Sequence, residues 1–155
     1  MIFYSRKVRM AFQDVIDKVM QNLRSQGFGI ITSIDVQDSF KKTFDIRFRK
    51  YRILSACHPR SAYKAISLES HLGVVLPCNI VVQEHENGEV EVSAINPFEN
   101  IDKSLNTPQL EDLAVEMGVR LRAAIDFIQR ELPGEHCEAL PPEQNTKGCE
   151  TVIKG

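Results

Sequence analysis

Residues 79–95 read Asn-Ile-Val-Val-Gln-Glu-His-Glu-Asn-Gly-Glu-Val-Glu-Val-Ser-Ala-Ile. Two β-rich runs flank Asn87-Gly88, a strong local signal for a hairpin. The register follows from the pairs that each loop would create. A two-residue Asn-Gly loop sets Glu84 against Glu91 and Val82 against Ser93. A three-residue Glu-Asn-Gly loop sets Glu84 against Val90, Val82 against Val92 and Ile80 against Ala94. The second avoids a like-charge pair and aligns the apolar residues. It requires Gly88 in the left-handed conformation of a G1 bulge. The middle of the chain is therefore expected to be antiparallel sheet.

Outward from the hairpin, Asn96-Pro97 closes the strand and Thr107-Pro108 opens a long helix, with Thr107 as N-cap and Pro108 at its first position. Leu110, Leu113, Met117, Leu121, Ile125, Ile128 and Leu132 recur at helical spacing as its buried stripe. Val119, Ala123 and Phe127 widen that stripe, so the helix is expected to meet two surfaces, and Pro133-Gly134 ends it. On the other side, Leu72–Val82 is apolar but broken by Gly73, Pro77 and Asn79. Pro77 cannot donate to a sheet ladder and marks an edge, a bulge or a gap between strands. Tyr51–Cys57 reads as a strand stopped by His58-Pro59, and Pro59 can open a helix carrying Ala62, Tyr63, Ala65 and Ile66. Phe12, Val15, Ile16, Val19, Met20 and Leu23 make an amphipathic helix, with Gly27 as its left-handed C-cap. Phe28–Asp35 alternates as a strand, Asp35 or Asp38 can cap a short helix after it, and Ile2–Val8 is a first strand. This order is an α+β pattern: a single largely antiparallel sheet with helices packed on one face. Residues 1–134 are expected to form one compact domain and 135–155, polar and carrying Pro141-Pro142, a flexible tail.

Composition narrows the function classes. The chain has 155 residues, 43% hydrophobic and 26% charged, with 19 Lys plus Arg against 21 Asp plus Glu. Such a balance gives no wholesale attraction to nucleic acid or to anionic membranes. No apolar run reaches the roughly 18 residues of a spanning helix, and the first residues lack a signal peptide's apolar stretch. A cytoplasmic location is expected, with Cys57, Cys78, Cys137 and Cys149 as free thiols and no C-x-x-C pair among them.

Residues 55–98 carry Ala56-Cys57-His58-Pro59, then Leu76-Pro77-Cys78, the apolar strand from Asn79 to Val82 and a final Asn96-Pro97. Together with Gly27-Phe28-Gly29 and Ile34-Asp35-Val36, this resembles the family called domain of unknown function 302 over roughly residues 8 to 130. The resemblance implies a compact α+β fold, TATA-binding-protein-like in topology, and frequent dimerisation. It implies no activity. The position before Pro59 is usually Asn in that family and is His58 here, so either the helix cap is weaker or His58 has a role of its own.

The chemistry-bearing residues gather at the two Cys-Pro turns. Cys57 precedes a helix N-terminus that could lower its pKa, His58 adjoins it, and Cys78 follows Pro77. If the two strands are neighbours, the thiols could share a pocket. Cys57, His58, Pro59, Cys78 and Asn79 are therefore the candidate ligand-binding residues. Burial as two small inert hydrophobes is the competing reading. Cys57, His58, His71 and Cys78 have donors for a soft metal, but the spacing matches no ligand motif, so no metal is expected, and no cofactor is indicated. Lys41, Lys42, Arg47, Arg49, Lys50 and Arg52, interleaved with Phe44, Phe48 and Tyr51, could hold a small anionic ligand more readily than nucleic acid. Glu84, Glu86, Glu89 and Glu91 read as solvated hairpin charges. The preferred reading is a homodimeric small-ligand binding or sensing module. Its rivals are a thiol-dependent enzyme or redox carrier using Cys57 or Cys78, and a structural interaction module with inert cysteines.

Overall fold

The first long amphipathic segment forms helix α1, Phe12–Ser25, and buries Val15, Ile16, Val19 and Leu23. Its end is a Schellman turn: Phe28 N–H donates to Leu23 O and Gly27 N–H to Arg24 O, with Gly27 at φ +88°. The structure is a computed structural model and describes residues 3–101 and 107–126. The expectations placed on Ile2, on Phe127 to Gly134 and on the tail at 135–155 lie outside the described residues.

Five strands form one sheet: β1 Tyr4–Val8, β2 Gly29–Asp35, β3 Tyr51–Cys57, β4 Cys78–Glu84 and β5 Val90–Ala94. Their order is β1-β5-β4-β3-β2, and every neighbouring pair is antiparallel. The hairpin takes the expected register, with Ile80, Val82 and Glu84 opposite Ala94, Val92 and Val90. His85 N–H donates to Glu89 O at 2.8 Å and Gly88, at φ +78°, closes the Glu-Asn-Gly loop by donating to His85 O. The alternation read into residues 28–36 fails in one place. A bulge between Ile30 and Thr32 inserts Ile31, leaving it 58% exposed. A bulge adds a residue and reverses the faces that follow it, which alternation alone does not reveal.

Helix α2, Val36–Phe44, and helix α3, Pro59–Leu68, stand between strands, and helix α4, Pro108–Asp126, follows β5. Asp35 caps α2 by accepting from Asp38 N–H at 2.9 Å, and Thr107 Oγ1 accepts from Leu110 N–H at 3.3 Å at the start of α4. Pro77 falls between a 3-10 turn, Ser70–Val75, and β4, after a cis Leu76-Pro77 bond. One face of the sheet presents Leu54, Ala56, Cys78, Ile80, Val82, Val90, Val92 and Ala94, all buried. Helices α1 and α4 pack on it, and α3 lies against α4. Helix α4 contributes Leu110, Leu113, Met117, Leu121 and Ile125 to this core.

Val119, 64% exposed, and Ala123, also exposed, are not buried by the described residues. One expectation about a helix face is corrected. On α3 the buried residues are Ser61 and Ala65, whereas Tyr63 is 76% exposed.

Candidate functional site

Helices α1 and α4 cover one face of the sheet, and pairing defines what the opposite face carries. The central cross-strand row runs Ser5, Ser93, Val81, Ile53, Ile34. To one side lie Lys7, Glu91, Gln83 and Tyr51, and to the other Asn79, Ser55 and Thr32. Over β4 and β5 this surface sinks into a hollow of about 400 Å³. Phe3, Tyr51, Val81 and Ile95 give it apolar walls, and Asn79, Gln83, Glu91 and Ser93 supply its polar groups. Volume and lining match the usual small-ligand pocket, apolar with a few convergent polar groups.

Glu91 is held in place and ionised. Its side chain is 16% exposed. The Ser5 hydroxyl donates to Oε1, and His85 Nε2 sits 2.6 Å from Oε2. These contacts, with the charge of Lys7 nearby, keep its carboxyl below the ordinary range, the Ser5 bond contributing most. The expectation that all four hairpin glutamates are simply solvated is thus wrong for Glu91. Serine, carboxylate and imidazole occur here with the carboxylate in the middle. No imidazole is placed to take a proton from Ser5, so this is not a hydrolytic triad.

The five residues singled out from the sequence divide. Asn79 lines the hollow and accepts a hydrogen bond from Ser55 Oγ at 2.9 Å. The strands of Cys57 and Cys78 are indeed neighbours, but Ala56 is the residue paired with Cys78. Alternation therefore sends the two thiols to opposite faces of the sheet. Cys78 is in the core, where burial pushes its thiol up to about 12, helped by the charge of Cys57. Cys57 shares its face with Ser55, two residues along β3. Burial pushes its thiol up as well. The helix N–H groups that could have lowered it go elsewhere: Ser61 N–H to His58 Nδ1 at 3.3 Å and Ala62 N–H to His58 O at 2.9 Å.

His58 is therefore the N-cap of α3, with Pro59 at the helix's first position. Its ring meets Phe28 edge-on at 5.6 Å, and Nε2 would lie 2.9 Å from a Cβ added at Gly27. Burial and then the Arg120 charge lower its pKa. A neutral ring with the proton on Nε2 can accept at Nδ1, and this is the tautomer the cap requires.

Other candidates are more committed. Of the basic stretch, Lys41, Lys42, Lys50 and Arg52 hold Asp45, Asp38, Glu84 and Asp35, and Arg49 stacks on Phe48. A second pair of guanidiniums, Arg6 and Arg122, borders a cleft of about 280 Å³. Arg6 lies 2.7 Å from Asp126, and Arg122 lies over the Tyr4 ring at 4.1 Å. A groove of about 490 Å³ between α3 and α4 is larger than the sheet hollow. Among its polar residues, Glu116 is paired to Arg120 at 3.1 Å. Among the described residues, no group of three or more His, Cys, Asp or Glu could hold a metal ion, and no helix is long and apolar enough to cross a membrane.

The class defined by fold and site is an open-faced α+β domain whose free sheet face carries a concave, partly apolar surface. The chain belongs to the family described as domain of unknown function DUF302, which it matches over residues 4–128. It is similar to the crystal structure of an uncharacterized conserved DUF302 protein from Bacillus stearothermophilus. The TM-score is 0.73 at 26% identity, covering 81% of this chain and 97% of that one. No curated protein matches the chain.

Proposed function

We propose that this protein is a small-ligand binding module whose site is the hollow on the open face of the sheet. The observation that carries this reading is the convergence of Asn79, Gln83, Glu91 and Ser93 on one apolar-walled hollow of about 400 Å³. Regular strands position all four, so the site is built before a ligand arrives. Cys57 lies along the same face of β3 beyond Ser55, outside the lining of the hollow. His58 and Pro59 shape the turn that ends this strand. The raised Cys57 and Cys78 thiols favour binding over thiol catalysis. Free thiols at both positions accord with a cytoplasmic location.

The reading extends to a homodimer, for which the outward side of α4 offers a self-complementary stripe. Val115 and Val119 are 66% and 64% exposed, and Asp112 and Arg122 flank them at helical spacing. Two antiparallel copies of α4 about a two-fold axis would set Val115 opposite Val119 and Asp112 opposite Arg122.

Filling the hollow tests the binding site. Ser93→Trp should keep the far-ultraviolet circular dichroism of the wild type. It should also reduce the binding of small aromatic fragments, seen by ligand-observed NMR, about tenfold or more. Unchanged fragment binding in a folded Ser93→Trp would move the site elsewhere, first to the α3–α4 groove.

A further inference from the structure

We infer that the sheet-face hollow selects an organic ammonium, a primary amine carried on a flat apolar body. The inference rests on the binding-site reading above and adds the ligand's chemical class. The one ionic group in the described lining is the Glu91 carboxylate; Lys7, its cross-strand partner, and His85, 2.6 Å from Oε2, stand outside that lining. A carboxylate offers about four acceptor positions. The Ser5 hydroxyl and the His85 ring take one each, and Ser93 Oγ approaches Oε1 only at 3.5 Å. Acceptor capacity therefore remains for a donor arriving from the hollow.

The neighbours of Glu91 favour a cation over a neutral donor. Gln83 stands opposite Glu91 across β4 and β5, and Ser93 and Asn79 add oxygens within the same lining. Tyr51 and Phe3 bring aromatic rings whose faces attract a cation. Val81 and Ile95 provide the apolar floor for the body of such a ligand. An anion placed in the same hollow would face Glu91 at close range in a partly desolvated setting, where like charges repel strongly. The small anionic ligand expected from the basic stretch is thus directed away from this site.

Three probes of equal framework separate the classes: phenethylamine, phenethyl alcohol and phenylpropionate, titrated calorimetrically into the full chain at pH 8, where imidazoles are ordinarily neutral. The amine should bind about tenfold or more tightly than the alcohol, because its positive charge pairs with the carboxylate in addition to the hydrogen bond that either probe can donate. The propionate should give no heat. Glu91→Gln should lower amine affinity far more than alcohol affinity and so abolish the amine's advantage over the alcohol. Gln83→Lys leaves the Ser5–Glu91–His85 contacts intact and places a competing cation beside them. It should weaken the amine alone, so the test survives if Glu91→Gln does not fold. Equal affinity for amine and alcohol, with both lost in Ser93→Trp, would overturn the ammonium class and leave the hollow as the site. Failure of all three probes to bind, or binding indifferent to Ser93→Trp, would overturn the hollow itself and this inference with it.

Discussion

At the scale of single residues, His58 carries a pH dependence with a defined sign. Its pKa is lowered in the fold, so the folded state favours the neutral ring. The stabilisation is fully present above the unfolded histidine value of about 6.5 and is lost as pH falls through the lower, folded value. Urea midpoints measured from pH 8 down to pH 5 should fall more in the wild type than in His58→Asn, which keeps a capping acceptor and cannot titrate. Parallel curves would refute the cap. His58→Ala should cost about 1 kcal/mol at pH 8. The thiols give a second residue-level expectation. Iodoacetamide should label Cys57 with a midpoint above the ordinary thiol range and leave Cys78 unmodified until unfolding, because burial raises both. A Cys57 midpoint well below 8, lost in Cys57→Ser, would instead revive the thiol-enzyme reading. The caps Asp35 and Thr107 and the first-turn Pro59 were legible in sequence because each acts on backbone within a few residues. The separation of Cys57 from Cys78 was not. It depends on which residue of β3 meets β4 across an intervening helix and 3-10 turn, and local pattern does not set that register.

At the scale of elements, the hairpin and the closing turn can be tested apart. Gly88 sits at φ +78° with nothing within 4 Å of an added Cβ, so Gly88→Ala isolates the backbone cost. It should destabilise by about 1 to 2 kcal/mol. No change in the urea midpoint would contradict the left-handed loop and the register built on it. Asn96 is fully buried. Its amide donates to Ala114 O at 2.7 Å, and its side-chain oxygen accepts from Phe98 N–H at 3.2 Å. Asn96→Ala strands both partners and should cost about 2 kcal/mol or more, read from denaturant midpoints. Beside it, Gly118 lets α4 approach this turn: a Cβ there would stand 3.0 Å from Glu99 Oε1 and 3.3 Å from Asn96 Nδ2. The hairpin register was readable because charge and apolar alignment both chose the same loop. The Ile31 bulge was not, since it changes parity without changing composition.

At the scale of the whole molecule, one face of the sheet is spent on the core, and the other carries the hollow over β4 and β5. A hint of the free face stood in the sequence. Ile53-Leu54 and Val81-Val82 place apolar residues at consecutive strand positions, hence on both faces. Glu91 was missed because a hairpin carboxylate is ordinarily wet, and only the pairing of β1 with β5 brings Ser5 to it. The proposed dimer predicts a species near twice the 17.6 kDa chain mass in sedimentation velocity at micromolar concentration, reduced to monomer by Val119→Glu. A wild-type monomer at that concentration would contradict it. The central claim is that the open sheet face is the binding surface. Amide chemical shifts followed during a phenethylamine titration test it most directly. Saturable shifts should cluster on residues 79–83 and 91–95, with the α3–α4 groove unmoved. Saturable shifts confined to Tyr63–Leu68 and Gln109–Glu116, or none at millimolar probe, would contradict it.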